Sequence, residues 1–339
     1  MPAVLPGAAL GFLSAAGWPA AGAVPLAGDA SQRRYMRLSA RGDSAILMLD
    51  APGAAASTGR FVAVAEHLRG LGLSAPRILA QDTRLGLLLL EDFGDGLFSR
   101  LAKGDATVEK RLYATAIDVL VRLHAEPAPV WASAPAAADL AAATGPAFDW
   151  YLAAGAAPDA AARAGFIEAF TAALLPLDTA PRRFAHRDYH AENLVWLPAR
   201  RGVARAGLLD FQDAFAGHPA YDLVSLLTDA RREIPPALAR EMTARYIAAT
   251  GAEEERFMLE SSLLSVQRNL RILGVFAWLC LRDGRSRYLA FMPRVWGHLQ
   301  AALAHPGLAE LRAPLACLPP PGPALLERFE TRCPSAPAR

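Results

Sequence analysis

The chain has 339 residues and a mass of 36.0 kDa, enough for one large domain or two lobes and for a substantial interior. A formal net charge of +2 with scattered arginines gives no basic field for nucleic acid. The hydrophobic content of 53% includes no uncharged apolar run of membrane-spanning length. The region from Met1 to Gly28 is apolar but has no basic residue at its start, which argues against a secretory signal and for the cytoplasm. Three cysteines, Cys280, Cys317 and Cys333, are odd in number and widely spaced, as expected of reduced bystanders rather than zinc ligands or a redox pair.

After a helix around Ala8 to Ala16, the segments VPLAGDAS, RRYMRLSA and SAILMLDAP have the composition of three short strands separated by Gly/Asp turns. STGRFVAVAEHLRGLGL has helical spacing, with Phe61, Val64, Ala65 and Leu68 on one face and a Ser/Thr start. PRILAQD and LGLLLLED follow as two more strands. The expectation for residues 24 to 92 is a five-stranded sheet, paired antiparallel, with one helix between its third and fourth strands. Glu91 to Gly96 is a polar, glycine-bearing crossing suited to a hinge. It would divide an N-terminal lobe, 1–92, from a mostly helical C-terminal lobe, 93–339. Residues 126 to 146 are Ala/Pro-rich, as an irregular connection would be. The proline-rich stretch after Pro306 suggests a loosely packed tail.

The chemistry concentrates in HRDYHAEN, residues 186 to 193, and LLDFQD, residues 208 to 213. Asparagine occurs only twice, at Asn193 and Asn269, so its place five residues after Asp188 is informative. The strand-like segments RRFA, LVWL and AGLL flank these motifs and put Asp188, Asn193 and Asp210 on loops at neighbouring strand ends. H-R-D-x-x-x-x-N followed by a strand and Asp-Phe is the catalytic-loop and metal-loop pattern of kinase-like phosphotransferases. In that chemistry Asp188 accepts the proton of the acceptor hydroxyl. Asn193 and Asp210 offer the hard oxygen donors that suit Mg²⁺. ATP is the expected donor.

HRDYHAEN, LLDFQD and HPAYDLVSLL together resemble the aminoglycoside phosphotransferase and choline kinase branch of the kinase-like fold. GDASQRRYMRL, LMLDAP, LLLLEDFGD and QRNLRILGVFAWLCLRDGRSRYL extend the likeness from Gly28 to about Leu299 and are most similar to bacterial anomeric amino-sugar kinases of cell-wall recycling. The resemblance implies an α+β, bilobal protein-kinase-like fold, with a small antiparallel N-terminal lobe and a larger helical lobe. It also implies phosphorylation at C1 of N-acetylmuramate or N-acetylglucosamine, a small-molecule partner rather than nucleic acid or membrane, and no obligate protein partner. Asp222 would brace the catalytic loop, or cap its own helix. The hinge backbone at Glu91, Asp92 and Phe93 would bind adenine, with Leu79 and Leu90 as walls.

One departure stands out. The third strand, AILMLDAP, lacks the lysine that grips ATP phosphates, and both lysines, Lys103 and Lys110, lie beyond the hinge. Arg33, Arg34 and Arg37 are the nearest cationic substitutes. Alternation sets Arg33, Tyr35 and Arg37 against Arg34 and Met36. Glu66 is a candidate to orient such an arginine. Gly28, Asp29 and Ser31 would form a flap over the phosphates. For the acceptor, His190, Gln212, Asp213, Arg268 and Arg271 are the candidate ligands, with the aromatic run Phe148 to Tyr151 as a core helix or a stacking surface. An aminoglycoside or other small-alcohol kinase and a catalytically silent binding module are the competing readings.

Overall fold

The computed structural model describes residues 5–18, 22–26, 33–40, 42–51, 53–155 and 159–334. Its strands, in chain order, are β1 (Val24–Pro25), β2 (Arg34–Ala40), β3 (Asp43–Leu49), β4 (Ile78–Asp82), β5 (Leu87–Glu91), β6 (Arg183–Ala185), β7 (Leu194–Trp196), β8 (Ala206–Leu208) and β9 (Phe215–Gly217). The chain forms two compact units, Met1–Leu123 with Ala191–Ala214, and His124–His190 with Phe215–Arg339.

The first unit is built on a five-stranded antiparallel sheet of order β1-β2-β3-β5-β4. Period-two alternation sends Met36, Leu38, Ala45, Leu47, Leu87 and Leu89 into a core shared with Ala9 and Leu13 of the helix Gly7–Ala15. Met48, Leu88 and Leu90 are buried too. The helix Ala55–Gly70 lies between the third and fourth strands and buries Phe61, Val64, Ala65 and Leu68. Its start differs from the sequence expectation, because Ala54 occupies the cap and offers no side-chain acceptor. Ser57 instead donates its hydroxyl to Asp50 at 2.9 Å. That tie to the end of β3 outcompetes a local capping bond.

β7 and β8 form a hairpin in the same unit, with Leu194 opposite Leu208. Leu208 N–H donates to Ser74 C=O at 2.7 Å, and Trp196 N–H donates to Gly96 C=O at 2.7 Å. Gly207 accepts no larger residue, since an added Cβ would meet the Phe93 ring at 2.6 Å.

The second unit is mostly helical. Its spine is the 30-residue helix Glu254–Asp283, capped at one end by the Glu253 carboxylate and at the other by Gly284 at φ 68°. Gly274 on this helix lies against the backbone of Pro146 and Ala147, a contact only glycine permits. Residues Ala147–Leu152 form a π-helical segment in which Phe148 and Tyr151 are buried. The aromatic run therefore belongs to the core. Within 126–146, the stretch Ala137–Ala142 is helical. The helix Ala160–Asp178 is long and apolar enough by length and composition to cross a membrane. Here it is an alanine-rich helix that buries Phe166, Phe170, Leu174 and Leu177.

The described residues after Pro306, up to 334, correct the expectation of a loose tail. The helix Pro323–Arg332 buries Leu325 and Phe329, and the Phe329 ring lies 5.9 Å from that of Tyr151. Tyr151 in turn donates its hydroxyl to Pro319 C=O at 2.7 Å. Prolines break the segment into short pieces without preventing each from carrying an apolar anchor.

Candidate active site

In the second unit, β6 ends at Ala185 and the chain turns into His186, Arg187 and Asp188. Arg187 adopts φ 81°, a left-handed conformation costing a non-glycine residue roughly 1–2 kcal/mol. Three groups hold it there. The Asp222 carboxylate accepts both the His186 N–H at 2.6 Å and the Arg187 N–H at 2.9 Å. Arg268 donates Nη1 to the Arg187 carbonyl at 2.9 Å, and Ser225 adds a longer contact to the same oxygen at 3.4 Å. Asp222 lies inside the first turn of the helix Ala220–Leu227 and spends its carboxylate on the loop rather than on a cap. Burial pushes its carboxyl up to about 7, against the pull of the two amides and Arg268.

Asp188 is half-buried, and an Arg268 nitrogen lies 3.9 Å from its carboxylate. Burial works against its charge, but Arg268, with His190, Arg271 and Arg187 behind it, holds the carboxyl below the ordinary range. The group is therefore ionised across neutral pH. Burial also pulls His190 down to about 4, which makes it a neutral imidazole beside an anionic base. The backbone N–H of His190 donates to the Asp188 carbonyl at 3.1 Å.

In the first unit, Asn193 directly precedes β7 and Asp210 follows β8 by two residues. The hairpin register brings the two chain segments together, with Leu209 N–H donating to Asn193 C=O at 2.9 Å. Asp210 has φ 59° and accepts from the Gln212 amide at 2.8 Å. Arg60 fixes this loop through Gln212 C=O at 2.8 Å and through Ala214 C=O, and Phe211 packs on Phe61 at 4.8 Å. One carboxylate and one amide oxygen on a fixed hairpin suit Mg²⁺, which keeps waters and phosphates as its other ligands. Among the described residues, no cluster of three or more His, Cys, Asp or Glu competes for such an ion. Gln212 is buried and Asp213 exposed.

Across the first sheet, Arg33 donates Nε to Asp50 at 3.1 Å and reaches the Ser57 hydroxyl through Nη2. Burial opposes the Asp50 charge, yet Arg33, Ala51 N–H and Ser57 keep its carboxyl below the ordinary range. Tyr35, pushed up to about 12 chiefly by burial, feels Arg33, Asp210 and Asp50, so this face of β2 lies within electrostatic reach of the Asp210 loop. Arg34 is exposed on the other face. Arg37 is engaged with Asp92 at 2.7 Å and Asp95 at 2.9 Å. Glu66 is exposed and orients no arginine among the described residues.

At the crossing expected to act as a hinge, which lies within the first unit, Glu91 N–H is already bonded to Arg77 C=O at 2.8 Å, and its carboxylate takes Arg200 at 2.6 Å. Among the described residues, no backbone hydrogen bond engages Phe93. Leu90 is buried, whereas Leu79 is exposed. Gly28, Asp29 and Ser31 lie outside the described residues.

Sequence reasoning missed Asp50 and Arg60. Asp50 stands at the end of β3, and its signal was an unpaired-looking acid in an apolar strand beside a run of arginines. Arg60 interrupts the apolar spacing of its helix, but its backbone partners lie more than 150 positions away and leave no trace in the motif.

A model of the phosphotransferase enzyme family matches residues 22–258. The chain belongs to this family. An N-acetylmuramate/N-acetylglucosamine kinase of Caulobacter vibrioides is 39% identical, over 89% of this chain and 93% of the relative. A protein of the same name from Pseudomonas aeruginosa is 36% identical, over 90% and 92%. The crystal structure of aminoglycoside phosphotransferase APH(2'')-Ib with ADP bound shares the fold at a TM-score of 0.56 and 13% identity, over 83% of this chain and 93% of that one. This phosphotransferase therefore has the α+β, bilobal kinase-like fold, with an antiparallel N-terminal sheet and a largely helical remainder.

Proposed function

We propose that this phosphotransferase transfers the γ-phosphoryl group of ATP to the anomeric C1 hydroxyl of N-acetylmuramate or N-acetylglucosamine, in peptidoglycan recycling. The names of the relatives supply the sugar class. The observation that carries the reading is the setting of Asp188, ionised and ringed by Arg187, Arg268 and Arg271. Such a ring repels a polycationic aminoglycoside, whose pocket needs carboxylates, and tolerates a neutral or anionic sugar.

Asp188 serves as the base that takes the hydroxyl proton. An anomeric hydroxyl is more acidic than an ordinary alcohol, so a carboxylate held in its ionised form suffices. Asp222 and Arg268 fix the backbone on both sides of Arg187 and thereby aim Asp188. Asn193 and Asp210 are the residues that would hold Mg²⁺, which neutralises charge on the phosphate oxygens when bound. Arg33, locked by Asp50, is the leading replacement for the missing strand lysine, since a guanidinium fork binds phosphate oxygens bidentately. Phe93 offers its backbone to adenine. His190 and Gln212 remain candidates for sugar hydroxyls, and the cytoplasm is the compartment where ATP is available.

The deciding experiment is ATP consumption with N-acetylglucosamine and N-acetylmuramate, run beside kanamycin and choline, with phosphorus NMR of the product. We expect an anomeric sugar phosphate from the amino sugars only. No sugar-dependent turnover, or a product phosphorylated elsewhere, overturns the reading.

A further inference from the structure

The second unit holds an imbalance of charge that the catalytic role of Asp188 does not absorb. Arg187, Arg268 and Arg271 bring three guanidinium groups to bear on Asp188, while the buried Asp222 acts on Arg268 and Asp229 acts on His190. Arg268 is committed, with Nη1 on the Arg187 carbonyl at 2.9 Å, Nη2 3.9 Å from Asp188, and its guanidinium 5.8 Å from the centre of the Tyr221 ring. Arg271, three positions further along the same helix, makes no hydrogen bond or ion pair among the described residues. It is half-buried, and burial foremost pulls its guanidinium below the usual value, with Tyr221 and Asp188 opposing and Arg187 and Arg268 adding repulsion.

An arginine stays protonated under such pressure. A partly desolvated charge with no bonded counter-ion among the described residues, facing two like charges, is unfavourable unless a ligand completes it. The helix that carries Arg271 is the capped, glycine-packed spine of the unit, so the backbone from which the guanidinium extends is held in place. The relatives' name joins two acceptors that differ in charge, one a carboxylate and one neutral. A planar guanidinium fork matches a carboxylate in two parallel hydrogen bonds.

We propose that Arg271 recognises a carboxylate on the acceptor sugar and so gives this enzyme a preference for the acidic amino sugar over its neutral counterpart. The inference rests on the sugar-kinase reading above and adds the group that sorts its substrates. Arg268 is a positioning residue for the loop, and Arg271 is the specificity residue.

The test is the ratio of kcat/KM for N-acetylmuramate to that for N-acetylglucosamine in the wild type, Arg271→Gln, Arg271→Lys and Arg187→Gln. Arg271→Gln should lower the ratio about 10- to 100-fold, the size of one charge-assisted bidentate pair. Arg271→Lys should restore part of it, since charge returns without the fork. An unchanged ratio in Arg271→Gln overturns the assignment, as does a shift of the ratio in Arg187→Gln alone. ADP affinity, measured by calorimetry, should stay within about twofold across the Arg271 variants, and a large fall would mean that the guanidinium serves phosphate instead. Should the wild type phosphorylate neither sugar, the function fails on its own. Calorimetric binding of N-acetylmuramate to wild type and Arg271→Gln then still decides: binding lost only in the variant supports the role of Arg271, and equal binding or none in both overturns it.

Discussion

Asp222 accepts the backbone N–H groups of both His186 and Arg187, at 2.6 and 2.9 Å. One buried carboxylate thus fixes two consecutive peptides of the loop that carries Asp188. Asp222→Asn replaces one acceptor oxygen by a donor that faces an N–H. Leaving buried donors unmatched costs about 3 kcal/mol, and we expect kcat to fall at least a hundredfold, in steady-state assays, with ADP affinity little changed.

The same carboxyl predicts a pH signature. Its folded pKa of about 7 lies above the unfolded value of about 4, so the folded chain retains a proton that the unfolded chain has lost between these limits. This contribution to stability is full below about pH 4 and is lost as pH rises through about 7. Melting temperatures measured from pH 5 to 8 should therefore decline in the wild type relative to Asp222→Asn. Parallel curves would show that Asp222 is ionised throughout.

Asp188→Asn retains shape and removes the base. Turnover should drop by about two to four orders of magnitude, while ADP binding by calorimetry stays within about twofold. Undiminished turnover would remove Asp188 from the reaction.

The pair of Arg33 and Asp50 separates a phosphate grip from a structural tie. Arg33→Gln should raise the KM for ATP tenfold or more and leave the KM for sugar within about twofold. Asp50→Asn should do the same through loss of orientation, with a stability cost of about 3–5 kcal/mol for breaking a buried pair. A loss of stability without any change in the ATP KM would make the pair structural only.

Phe329→Ala removes a fully buried ring packed on Tyr151. Denaturant unfolding should show a loss of about 3–5 kcal/mol. A loss below about 1 kcal/mol would mean that the helix Pro323–Arg332 contributes little to the second unit.

The first sheet was legible because its signals are local. Alternation in RRYMRL and AILML marks the faces within a few residues, and Gly/Asp turns mark the ends. The hairpin around Asn193 and Asp210 was legible for the same reason. What the motifs could not reveal are long-range bonds to backbone atoms. Arg268 reads as a carboxylate ligand in LSVQRNLRIL, yet its Nη1 closes on a carbonyl 81 positions earlier. Glu66 has the spacing of an arginine partner, but Asp50 is nearer in space because β2 and β3 pair with Arg34 opposite Leu49. Proline content misread the end of the chain, since it reports the breaks between segments and not the burial of Leu325 and Phe329.

Arg187 and Asp210 are the non-glycine residues with positive φ among those described, and each stands in a motif loop. A search for heat-resistant variants would find glycine at either position an easy gain, because relieving a left-handed backbone lowers the energy of the fold. Such a gain would discard a guanidinium beside Asp188 or the carboxylate opposite Gln212. Robustness and turnover therefore pull in opposite directions at these two peptides, and selection for hardiness alone would drift towards a well-folded, idle protein.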